Sequence, residues 1–67
     1  MTSDQYRAAI ETLGLSQVAA ARLLGVDPRT SRRWACGERD VPAPAERFLQ
    51  YLIATGKTGE KAMRVLD

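Results

Sequence analysis

A chain of 67 residues has room for one thin core and little catalytic scaffolding. One cysteine, Cys36, permits no internal disulfide, and without histidine a structural zinc would lack its usual ligands, so helix packing must carry the fold, with or without a second chain. A net charge of +2 and a pI near 9.1 point only weakly to polyanions, but the charge is unevenly spread: Arg22, Arg29, Arg32, Arg33 and Arg39 stand against Asp27 and Glu38.

No run approaches the roughly 18 consecutive apolar residues that span a bilayer, and Met1-Thr2-Ser3-Asp4 is unlike a basic, then apolar, signal peptide. The expectation is a cytoplasmic protein with no membrane partner. There is no internal repeat, low-complexity tract or linker, and residues 1–67 read as one domain.

Helix punctuation is clear along the chain. Thr2 or Ser3 can cap a first helix in which Tyr6, Ala9, Ile10 and Leu13 share one stripe, and Gly14 ends it. Ser16 is the next N-cap, and the alanine-rich run Gln17 to Leu24 has high helix propensity until Gly25 supplies a left-handed stop. Asp27 caps a third helix with Pro28 at its first position, where the missing N–H costs nothing; this helix runs to about Cys36 and ends at Gly37. The stretch Arg39-Asp40-Val41-Pro42 reads as a loop, because Pro42 and Pro44 bias the residues before them away from helical angles.

From about Pro44 the stripe Ala45, Phe48, Leu49, Leu52 and Ile53 returns to a helical period, closed by Gly56. Thr58 can cap a short fifth helix over 58–66, with Ala62, Val65 and Leu66 on one side. Tyr6, Phe48 and Tyr51 read as packing residues and Cys36 as an inert, partly buried thiol. The fold class expected is all-α, a compact bundle of four to five helices.

The informative segment is Ser16 to Trp34, two short helices joined by a three-residue turn that contains Gly25. This is the pattern of a helix-turn-helix over about residues 16–36, whose second helix enters the major groove. Ala21 is small enough for close helix approach, and Ala20, Leu24, Val26 and Trp34 can fill the wedge between the helices. The segment resembles the Cro and lambda-repressor (XRE-type) helix-turn-helix over about residues 4 to 54, most closely from Leu15 to Pro42, including Trp34-x-x-Gly37 and the loop towards Val41-Pro42. That resemblance implies binding to operator DNA, commonly as a symmetric dimer, and it assigns Gln17 to a backbone phosphate. The chain departs from the family at Ser31, where a β-branched aliphatic residue is usual. Such a serine leaves the core slightly underfilled or bonds back to a helix carbonyl.

With Ser31 and Trp34 inward, helical geometry puts Pro28, Arg29, Arg32 and Arg33 on the open side. Each of the three arginines can donate two hydrogen bonds to guanine O6 and N7. Thr30, through its hydroxyl, and Arg39, in the following loop, are phosphate candidates, with Glu38 and Asp40 competing for Arg39 in local ion pairs. The competing reading of the arginine cluster is an ordinary solvated face. Double-stranded DNA is the expected partner, with a homodimer joined through the fourth helix, the tail or both. The alternative is a protein-binding adaptor or antitoxin-like module on the same fold. Asp27 is explained as a cap and Glu11 as solvated surface, so no acid–base pair remains, and neither an enzyme, a cofactor nor a small-molecule ligand is expected.

Overall fold

Side-chain caps start three of the four helices in the computed structural model, which describes residues 1–56. Helix α1 spans Ser3–Thr12, α2 Gln17–Leu24, α3 Pro28–Cys36 and α4 Ala43–Ala54, with no strand among the described residues. Thr2, not Ser3, caps α1: its hydroxyl accepts from the Gln5 N–H at 3.1 Å while the Gln5 side chain accepts from the Thr2 N–H at 2.9 Å, a reciprocal capping box. Ser16 accepts from the Ala19 N–H at 3.0 Å, and Asp27 from the Arg29 N–H at 2.8 Å with Pro28 opening α3. The expected fifth helix over 58–66, with Ala62, Val65 and Leu66, lies outside the described residues.

Helix α4 begins at Ala43, slightly earlier than its apolar stripe suggests. Pro42 takes the cap position in an extended conformation and Pro44 falls within the first turn. A proline there loses nothing, since first-turn N–H groups have no partner within the helix. Gly25 at φ +72° and Gly37 at φ +81° are the left-handed residues that stop α2 and α3, and a side chain at either would be strained.

The core is built from one stripe per helix. Tyr6, Ala9, Ile10 and Leu13 contribute from α1 and its cap, Ala20, Ala21 and Leu23 from α2, Ser31, Trp34 and Ala35 from α3, Val41 from the loop, and Leu49 and Leu52 from α4. Ala20 and Ala21 are fully buried, and their small size lets α2 and α3 pack closely. Leu24 and Val26, expected in the wedge, pack only partly buried against its rim, and Leu23 takes the interior place.

Two further expectations are corrected on α4. Ile53 is 38% exposed and Tyr51 56% exposed, whereas Leu52 between them is buried. Successive helical residues are about 100° apart, so the neighbours of an inward-facing Leu52 swing to opposite margins of the buried stripe. Cys36, expected partly buried, is exposed, because Ala35 occupies the inward position at the end of α3. None of the helices described is long and apolar enough to cross a membrane.

Candidate nucleic-acid interface

Helix α3 has two chemically opposite sides. Inward, Ser31 is completely buried and its hydroxyl is 2.6 Å from the Tyr6 hydroxyl of α1, which is also completely buried. The Tyr6 ring meets Trp34 edge to face, with centroids 5.7 Å apart and planes at 80°. The Ser31 hydroxyl therefore does not bond back to its own helix. It pairs with a residue 25 positions away, and no buried side-chain polar atom among the described residues is left without a partner. Burial pushes the Tyr6 phenol above its ordinary range, and the Ser31 hydrogen bond partly offsets that rise.

The next residue of α1 holds α3 at a second point. Arg7 donates to the Ala35 carbonyl at 2.9 Å, one turn beyond Ser31, and pairs with Asp4 through its other nitrogen. A cation on the last carbonyls of a helix also complements the negative end of its dipole. Periodicity does not single out Arg7, because it is solvent-facing by pattern and acts across the helix boundary.

Outward, Pro28, Arg29, Arg32 and Arg33 are all exposed. Arg29, Arg32 and Arg33 stand at i, i+3 and i+4, the spacing that puts side chains on one flank of a helix. A shallow cleft where the first turns of α2 and α3 meet is lined by Gln17, Val18, Pro28, Arg29 and Arg32. Four of the seven residues singled out in the sequence are thus brought together. Arg33 continues the same flank one turn on, Thr30 is half-buried, and Arg39 is exposed in the loop after α3.

The arginines are available. Among the described residues, ion pairs join Arg7 to Asp4 and the amino terminus to Glu46, and the guanidinium groups of Arg29, Arg32, Arg33 and Arg39 make neither ion pair nor hydrogen bond. The expected competition from Glu38 and Asp40 for Arg39 does not take place. Instead the Glu38 and Arg39 N–H groups donate to the Arg33 carbonyl, at 2.9 and 3.4 Å, which folds the loop back against the end of α3.

Val18 is the cleft residue that sequence reasoning missed. It is 57% exposed, although it lies three residues before the buried Ala21, where periodicity alone would turn it inward. Its signal was position: it follows Gln17 in the first turn of α2, where Ser16 engages the Ala19 N–H and leaves the N–H groups of Gln17 and Val18 at the positive helix end. No group of three or more His, Cys, Asp or Glu side chains among the described residues is placed to share a metal ion. Comparisons with protein-family models, with curated proteins and with solved structures found no match.

Proposed function

We propose that the chain is a sequence-specific double-stranded DNA-binding protein of the helix-turn-helix type, a small transcriptional regulator in which α3 lies in the major groove. One observation carries this reading: three exposed arginines with no partner among the described residues occupy one flank of a helix whose other side is fully buried, beside the open first turn of α2. Arg29, Arg32 and Arg33 are assigned to guanine edges, and Gln17, Thr30 and Arg39 to the phosphates on either side. Pro28 closes the cleft without adding a donor.

Distances along α3 support a division of labour. Arg29 and Arg33 are offset by about 6 Å along the axis at 1.5 Å per residue, close to two base-pair steps of 3.4 Å. They would meet different base pairs. One such helix reads a short site, so two copies on half-sites about one helical turn apart make the economical complex.

Selection of binding sites from randomised duplexes, followed by affinity measurements across a salt series, tests the proposal. Enrichment of guanines in symmetric half-sites is expected, with a log–log salt slope of about −0.9 per neutralised phosphate. Absence of enrichment together with salt-insensitive binding would remove the DNA reading and leave the protein-binding alternative.

A further inference from the structure

We infer that Tyr6 and Ser31 form a positioning pair that sets the rotation and tilt of α3, and thereby decides which of Arg29, Arg32 and Arg33 meets base edges. The inference rests on the DNA-binding reading above. Apolar contacts are non-directional and tolerate small sliding and rotation of one helix on another. A hydrogen bond of 2.6 Å between two completely buried hydroxyls does not, because its strength falls steeply with angle and an orphaned hydroxyl cannot turn to water.

Three observations converge on this constraint. The bond joins the middle of α3 to α1. Arg7, adjacent to Tyr6, holds the Ala35 carbonyl four residues further along α3, so two anchors on one flank oppose both rotation and tilt. Trp34 packs in an edge-to-face arrangement with the same Tyr6 ring, which helps to fix the phenol that Ser31 meets.

The lever is large enough to matter. A guanidinium tip stands roughly 9 Å from the helix axis, adding an extended side chain to the Cα radius of about 2.3 Å. Rotating α3 by about 20° moves that tip by about 3 Å, a full hydrogen-bond length. The bidentate contact to one guanine would then be lost or moved to a neighbour.

The experiment compares the wild-type chain with Tyr6→Phe, Ser31→Ala, the double variant and the conservative Ser31→Thr. For each, the ratio of affinities for the selected site and a scrambled duplex is measured at one salt concentration, well below that variant's Tm. Each single variant is expected to lower the ratio about tenfold, the scale of one misplaced bidentate contact. The double variant should recover thermal stability, since no hydroxyl is left unpaired, without recovering the ratio. Ser31→Thr should keep the ratio near wild type.

Unchanged ratios in the folded single and double variants, with a discriminating wild type, would reduce the pair to a purely structural role and overturn the inference alone. A wild-type chain with no preference would overturn the DNA reading and the positioning role together.

Discussion

Removing a single oxygen, by Tyr6→Phe, should cost this fold a large part of its stability. The Tyr6 ring and its edge-to-face contact with Trp34 remain, so apolar burial is nearly unchanged. What changes is the Ser31 hydroxyl, which has no solvent access and loses the partner at 2.6 Å. Leaving a buried hydroxyl unsatisfied costs about 1–3 kcal/mol, against about 0.5–1.5 kcal/mol for the net worth of an ordinary hydrogen bond. Ser31 has a fallback in the carbonyl four residues earlier, and using it would bring the loss toward the low end of that range. A core of this size supplies roughly 3–5 kcal/mol, so even about 1.5 kcal/mol is a sizeable share, equivalent to a Tm decrease of about 6–12 °C. Urea unfolding followed by Trp34 fluorescence, with Ser31→Ala and the double variant completing a cycle, measures the coupling directly. A coupling below about 0.5 kcal/mol, or singles that simply add, would refute the claim that these hydroxyls stabilise one another.

The remaining predictions separate base reading, phosphate contact and titration. Arg33→Ala should weaken binding to the preferred duplex by about 1–3 kcal/mol and relax base choice at one position; equal loss on every sequence would make Arg33 a phosphate contact. Gln17→Ala should lower affinity nearly uniformly while leaving the preferred sequence unchanged, as read by repeating the site selection. Val18→Glu should weaken binding to all duplexes through repulsion from phosphate, yet hold or raise fold stability by about 0.3–1 kcal/mol, because a carboxylate in the first turn of α2 suits the helix dipole. Raising the pH should destabilise the fold through Tyr6, whose phenol is held protonated above its ordinary value of 10.0. The unfolded chain ionises first, so this contribution is complete below about pH 10 and is lost as the pH climbs from there through the raised native value. Urea midpoints of Tyr6→Phe should lack that part of the alkaline decline, and an identical decline in both proteins would refute it.

Helix limits were legible because they depend on local chemistry. Ser16, Asp27, Gly25 and Gly37 each act through their own backbone or a neighbour two to four residues away, and each does in three dimensions what its type suggests. The open side of α3 was legible for a related reason: once Trp34 is inward, a 100° step places Arg29, Arg32 and Arg33 outward. The partner of Ser31 was not legible. It lies 25 residues away on another helix, and Tyr6 carries the same apolar periodicity whether or not its hydroxyl is used. Val18 failed in the opposite direction, since its spacing matches the buried stripe of α2 while the first turn, open toward α3, leaves it exposed.

Under the proposed DNA-binding role, a serine inside α3 has a physical rationale. A β-branched aliphatic residue at position 31 would fill volume but could be satisfied over a range of helix rotations. Serine has little volume to fill with, and its hydroxyl, shut away from water, is met by the Tyr6 hydroxyl of α1, a directional contact that an aliphatic side chain lacks. The Tyr6 ring supplies the bulk that serine lacks, and Trp34 packs edge to face with that ring. Volume and orientation are thus assigned to different residues on different helices. In the proposed DNA complex, orientation is the quantity that matters for the three arginines on the open flank of α3, because an arginine displaced by a hydrogen-bond length would contribute charge without reading a base.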